Sequence, residues 1–134
     1  MPGAGQIAAR VPTASEKADM EFGFKMAKQI GGLDIGQTVV VKNLAVMAVE
    51  AIEGTDACII RGGELGRGDI VVAKVAKPNQ DLRFDVPSVG PDTLAAMIKA
   101  KAKALVIEAG ATLLIDKANV IKMADESGIA IIAM

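Results

Sequence analysis

Histidine is absent from this sequence, as are tyrosine and tryptophan, and cysteine occurs once, at Cys58. Without an imidazole there can be no Ser-His-Asp or Cys-His catalysis, no His-ligated zinc and no imidazole proton shuttle. One thiol forms neither an internal disulfide nor a thiolate cluster, which fits a reducing compartment. Aromatic residues make up 2% of the chain, all of them Phe, so stacking platforms for bases or sugars are nearly missing. Neither sign of charge dominates, with 15 Lys and Arg against 16 Asp and Glu. That balance sets up no field to draw in nucleic acid or an anionic membrane, and no nucleic-acid partner is expected. No apolar run nears the ~18 residues of a membrane span. The start, MPGAGQIAARVPTASEKADM, lacks the apolar stretch of a signal peptide. The expectation is a cytoplasmic protein working with carboxylates, Lys, Arg, hydroxyls, backbone amides and a hard metal ion.

What is present suffices for one domain with a real core: 134 residues, 51% hydrophobic. Residues 1–12 are rich in Gly, Ala and Pro without a period and read as a linker or frayed start. Thr13 with Glu16 forms a capping box, and Ala18, Phe22, Met26 and Ile30 make an apolar stripe that Gly31-Gly32 ends. The β-branched runs Thr38–Lys42 and Ala45–Ile52, joined at Lys42-Asn43-Leu44, predict a hairpin. A short helix is expected from Gly54 to about Arg61, with the Gly-rich GGELGRG then returning the chain to a strand, Asp69–Val75. A long polar segment follows, Ala76–Pro91. Beyond it the pattern predicts a helix near Asp92–Lys103, strands at Ala104–Glu108 and Thr112–Ile115, a helix Asp116–Ser127 and a strand Ile129–Ala133. Continuously apolar strands such as DIVVAKVA and IAIIAM suit a sheet covered by helices on both faces. The fold class is α/β, a single layered domain over residues 13–134 with a mainly parallel or mixed sheet, an N-terminal helix and a β-hairpin.

The stretch KPNQDLRFDVP, Lys77 to Pro87, is the densest in polar groups. Its two prolines disfavour helix at its ends. Extended, it alternates Leu82, Phe84 and Val86 against Asp81, Arg83 and Asp85, as an amphipathic edge strand would with no further role. Together with Lys74, Asn79 and Gln80, however, it follows the C-terminal end of an apolar strand, where open α/β sheets bind ligands. In an extended chain Asp81 and Asp85 lie about 13 Å apart and cannot share one ion. In a helical turn they lie about 6 Å apart and can. The prolines favour the extended form, with one carboxylate on a ligand or metal and the other paired with Arg83 or capping the turn; which is which stays open.

A second constellation, Glu50, Glu53, Gly54, Thr55 and Asp56, ends the Ala45–Ile52 run. A Gly-Thr step into a helix offers free N–H groups to a phosphate, although Thr or Asp there is also an ordinary N-cap. Asp56 would repel a phosphate unless a divalent cation lay between, and hard oxygen ligands suit Mg²⁺. GGELG lacks Gly-Lys-Ser/Thr and is not a P-loop. Glu108 reads as a solvated turn or a wall of the same crevice, and Cys58, among Ala57, Ile59 and Ile60, as an inert buried thiol.

Three stretches, LDIGQTVVVKNLAVMAVEAIEGTDACIIRGG, VAKVAKPNQDLRFDVPSVGPDT and EAGATLLID, carry a resemblance that runs from about Pro12 to Ile132. The chain resembles the C-terminal domain of the LpxI family, the UDP-2,3-diacylglucosamine pyrophosphatases of lipid A synthesis. The resemblance implies a Mg²⁺- or Mn²⁺-dependent hydrolase in which water attacks the α-phosphorus, releasing UMP and 2,3-diacylglucosamine 1-phosphate (lipid X). It implies an essential aspartate, placed at Asp81 ahead of Asp85, as metal ligand or water-orienting base, with Asp56 as a further metal ligand. Lys74, Lys77, Gln80 and Arg83 would bind substrate, and Gly54 and Thr55 the diphosphate. Family members are about twice this length, so an N-terminal domain is an expected partner and the domain alone is expected to turn over little. Contact with inner-membrane lipid, and a homodimer driven by exposed Phe22, Phe24 and Met26, complete the implied partners. The alternative is a non-catalytic nucleotide-binding or dimerisation module.

Overall fold

The structure, a computed structural model, describes residues 1–78 and 86–134. Helix α1 (Ala14–Gly32) starts at the expected capping box: the Glu16 N–H donates to Thr13 Oγ1, and the Thr13 N–H donates to Glu16 Oε1. Glu16 also accepts from Arg10 Nη2 at 2.6 Å. Burial alone would raise the Glu16 pKa, but the Arg10 bond and the Thr13 N–H outweigh it and hold the carboxyl below its ordinary value. A lowered carboxyl pKa stabilises the fold above the unfolded value, and that stability is lost as pH falls through the folded one. Glu16→Gln should therefore cost about 1 kcal/mol at neutral pH. The gap to the parent should close in acid, which chemical denaturation at a series of pH values would read.

The buried side of α1 runs along Met20, Gly23, Ala27 and Gly31, while Ala18 is exposed. This is a rotation from the expected Ala18–Phe22–Met26–Ile30 stripe, and Gly23 explains it. A Cβ there would sit 3.1 Å from the Ala73 Cβ and 3.3 Å from Val41 Cγ2, so the bare backbone lies directly on the sheet. Phe22, Phe24 and Met26 are consequently half-buried against the core rather than displayed as a free apolar face.

The hairpin forms from β2 (Thr38–Lys42) and β3 (Ala45–Val49). Its turn residues Asn43 and Leu44 take φ of 52° and 61°. Leu44 is strained there, and Asp19 of α1 holds the turn by accepting both N–H groups, at 3.1 and 2.8 Å. After α2 (Thr55–Gly66) come β4 (Ile70–Lys74), the short β5 (Ser88–Val89), α3 (Pro91–Lys99), β6 (Ala102–Ile107), β7 (Leu113–Leu114), α4 (Lys117–Glu126) and β8 (Ala130–Ala133). At the start of the chain β1 (Gly5–Gln6) pairs antiparallel with β8. The nearby Ala8 is buried, and the Ile7 N–H donates to the Ile131 carbonyl.

The main sheet runs β1-β8-β6-β4-β2-β3, with β5 and β7 forming a separate parallel pair. Strands β4, β6 and β8 are parallel and β2 is antiparallel to both its neighbours, so the sheet is mixed and the expected α/β layering is present. Alternation divides the core. Val39, Val41, Val71, Ala73, Ala104 and Val106 face α1; Val40, Ile70, Val72, Leu105 and Ile131 face the side that carries Cys58 and Ile59 of α2, Leu94 and Met97 of α3 and Val120 of α4.

Two helix ends differ most from expectation. Helix α2 continues through Gly62-Gly63-Glu64-Leu65-Gly66 instead of yielding to a strand. The glycines are packing surfaces: a Cβ at Gly62 would fall 2.5 Å from Val40 Cγ1, and one at Gly63 2.6 Å from the Ala100 Cβ. Helix α3 ends at Lys99 rather than Lys103, because Lys101 takes φ 57° and β6 begins at once. No helix among the described residues is long and apolar enough to cross a membrane.

Candidate functional site

Because β2 reverses direction between β3 and β4, β3 and β4 point the same way, and the helices after them start from the same edge of the sheet. Helices α2 and α3 pack side by side on one face, and Gly63, near the end of α2, meets Ala100 at the end of α3. Their N-termini therefore open together, beside the C-terminal end of β4, onto a cavity of about 560 Å³. Gly54, Thr55, Asp56, Lys74, Asp92 and Thr93 are among the residues that line it.

Neither N-terminus is capped by a side chain, in contrast to α1. At α2 the first internal bond is the Cys58 N–H to the Gly54 carbonyl. The N–H groups of Thr55, Asp56 and Ala57 are thus left without an acceptor among the described residues. Gly54 enters the helix at φ 91°, a conformation that suits only glycine. The Thr55 hydroxyl is turned inward instead of capping: it lies 3.0 Å from Thr38 Oγ1 and 3.3 Å from Glu50 Oε2. Glu50, itself buried, accepts the Gln37 N–H at 2.9 Å. This buried carboxylate ties the first residue of α2 to β2 and fixes where the helix begins.

Lys74, the last residue of β4, is 8% exposed, and its Nζ donates to the Ser88 carbonyl at 2.6 Å. It has no carboxylate partner within ion-pair distance among the described residues. Burial pushes its pKa below the ordinary lysine value, and the negative charges of Glu50 and Asp56 offset this only in part. A buried cation with two free donor positions, beside two positive helix ends, is an arrangement chemically able to hold an anion. Asp56 and Asp92, in the first turns of the two helices, add carboxylates that form no ion pair among the described residues. Glu53 at the rim is occupied: the Ala51 N–H, then Arg61, hold its carboxyl below the usual range. Arg61 Nη2 donates also to the Val49 carbonyl at 2.9 Å.

The structure brings together Gly54, Thr55, Asp56 and Lys74 of the residues singled out in the sequence. Lys77 is placed elsewhere; its Nζ lies 2.9 Å from Asp34 Oδ1 and does not line the cavity. Gln80, Asp81, Arg83 and Asp85 lie outside the described residues. Glu108 is neither a free turn nor a cavity wall. It accepts from Lys28 Nζ at 2.8 Å and from the Ala76 N–H at 3.1 Å, clamping the chain just beyond β4. Cys58 is fully buried, and burial pushes its thiol up to about 12, so it is inert near neutrality. Sequence reasoning missed the second wall, Ser88 and Gly90 to Thr93; Pro91 one step after Gly90 was the signal for a helix start.

The family model described as the LpxI C-terminal domain matches residues 3–132. The UDP-2,3-diacylglucosamine pyrophosphatase LpxI of Caulobacter vibrioides is 37% identical over 138 residues, which cover 97% of this chain and 49% of that protein. The chain thus spans about half the length of the curated relative it matches. On both grounds the chain belongs to the LpxI family, through its C-terminal domain.

Proposed function

We propose that this chain is the C-terminal half of a UDP-2,3-diacylglucosamine pyrophosphatase, and that the cavity between α2 and α3 receives the substrate's diphosphate. The observation that carries this reading is Lys74, buried without a carboxylate partner among the described residues and facing the uncapped start of α2. The name of the Caulobacter relative supplies the substrate class. Cleavage at a phosphoric anhydride asks for positioning and charge neutralisation rather than covalent chemistry, so a chain without histidine is equipped for it. The Thr55, Asp56 and Ala57 N–H groups would fix a phosphoryl oxygen while the Lys74 ammonium neutralises its charge. Glu50, through Thr55, keeps those donors in register.

Among the described residues no group of three or more acidic or thiol side chains could hold a metal ion. The donors do fit an ion held chiefly by phosphate and water, as Mg²⁺ commonly is, with Asp56 and Asp92 as its protein carboxylates. Such an ion, when bound, would spread the negative charge of the diphosphate. The residue that orients the attacking water is assigned to Asp81, ahead of Asp85. What supports this is connectivity: their segment joins two residues that line the cavity, Lys74 and Ser88. Water would attack the α-phosphorus, and the bond to the bridging oxygen would break to give UMP and 2,3-diacylglucosamine 1-phosphate. The N-terminal half, which the relative possesses, would complete the substrate site and meet the acyl chains at the membrane surface.

The test is UMP release from UDP-2,3-diacylglucosamine with Mg²⁺ or Mn²⁺ in the two-domain protein. Asp81→Ala should lower turnover about a hundredfold or more. Full turnover in both Asp81→Ala and Asp85→Ala would remove the catalytic assignment, and nucleotide binding without any hydrolysis would leave a binding module.

A further inference from the structure

The start of α3 faces the same cavity as that of α2 but is built differently. Pro91 at its first position has no N–H, and the N–H groups of Thr93 and Leu94 both donate to the Gly90 carbonyl, at 3.1 and 3.3 Å. Asp92 therefore holds the one free N–H of this turn among the described residues. Beside it stands an unspent group. Thr93 is 7% exposed and lines the cavity, and its hydroxyl has no hydrogen-bond partner among the described residues. The small surface that Thr93 keeps includes its hydroxyl oxygen, which is open on the cavity side to a partner that a ligand can supply in place of water. Lys74 Nζ reaches the carbonyl of Ser88, two residues before the Gly90 cap, while Asp56 of α2 stands on the opposite wall. Two co-directional helices also set their positive ends side by side, a repulsion that a ligand carrying two negative groups relieves better than one carrying a single group.

We propose that the Asp92 N–H and the Thr93 hydroxyl form a second phosphate subsite, so that a diphosphate places one phosphoryl group at each helix N-terminus with Lys74 between them. This rests on the reading of the cavity as the diphosphate site and adds to it the residue that distinguishes a diphosphate from a monophosphate. Thr93 is a binding residue with no proton-transfer role.

The experiment uses the 134-residue chain with Mg²⁺ present and two probes, inorganic pyrophosphate and inorganic phosphate, with affinities from calorimetry and ³¹P NMR. In the parent, pyrophosphate should bind more tightly than phosphate. Thr93→Val should weaken pyrophosphate about tenfold, leave phosphate within about twofold and melt no lower than the parent, since no native hydrogen bond is removed. Thr93→Ser, which restores the hydroxyl, should recover pyrophosphate binding. Unchanged pyrophosphate affinity in Thr93→Val overturns the subsite, and so does a loss that comes with a lowered melting temperature and no rescue by serine. In either case, weakening by Lys74→Met would leave the cavity reading standing. A parent that binds no pyrophosphate overturns both.

Discussion

Lys74→Met should leave the protein folded and remove most of its affinity for phosphorylated ligands. The stability side is a near-cancellation. Methionine matches the length of the lysine stem, and it takes a charge out of a buried position where no carboxylate neutralises it at contact distance. Against that gain, the Ser88 carbonyl loses its donor, worth about 1 kcal/mol. The melting temperature should stay within about 5 °C of the parent. The ligand side is one-directional. An ammonium bonded to a phosphoryl oxygen contributes about 1.5–3 kcal/mol, or roughly ten- to a hundredfold in affinity. Pyrophosphate titration of both proteins measures it; equal affinity would mean that Lys74 does not touch the anion. There is also a pH signature. The Lys74 pKa is lowered in the fold, so the unfolded chain binds its proton more readily, and the native state gains stability as pH rises from the folded pKa to the ordinary lysine value. Lys74→Met should lose that alkaline rise in denaturation experiments.

Gly63→Ala should destabilise the protein although it replaces a glycine inside a helix. Intrinsic propensity alone would make alanine better by about 1 kcal/mol. The added Cβ, however, would lie 2.6 Å from the Ala100 Cβ and 2.7 Å from its carbonyl oxygen. The obstacle is backbone, which has no rotamer to give, so α2 and α3 must separate. Overpacking of this kind costs about 1–3 kcal/mol and more when backbone is involved, so the net effect is a loss. Gly32→Ala is the control, at the exposed end of α1 where nothing lies within 4 Å of the new Cβ. It should stabilise by about 0.5–1 kcal/mol. Because separating the two helices also moves their N-termini apart, Gly63→Ala should weaken pyrophosphate binding in whatever fraction stays folded.

The local signals in the sequence were reliable where a residue acts on its own neighbours. Thr13 and Glu16 cap α1 as their spacing says, and the β-branched runs became β2 and β3. The failures come where distant parts of the chain decide. Gly62 and Gly63 look like a break in helix because their reason for being glycine, Val40 and Ala100, lies elsewhere in the chain. Lys74 and Lys77 look like partners, yet they are an odd number of residues apart, and the chain sends one to the cavity and the other to Asp34. Gly54, Thr55 and Asp56 were legible as a helix start with free N–H groups because a glycine opening a helix is a local feature. The α3 wall was not, since its meaning depends on α3 lying beside α2. The carboxylates at Asp81 and Asp85 rest on the family resemblance and stay outside the described residues.

Arg61 bears on how this fold behaves at high concentration. Strand β3, the outer strand of the hairpin, is an edge of the main sheet, and the exposed Val46 on it could invite a neighbouring molecule to add a strand. The Val49 carbonyl is occupied by the Arg61 guanidinium, the strand is only five residues long, and its pairing with β2 is interrupted by a register shift at Val40/Val41. A short, irregular border carrying a cation is a poor template for edge-to-edge aggregation, and the side chain that blunts it is the one that also holds Glu53 at the rim of the cavity.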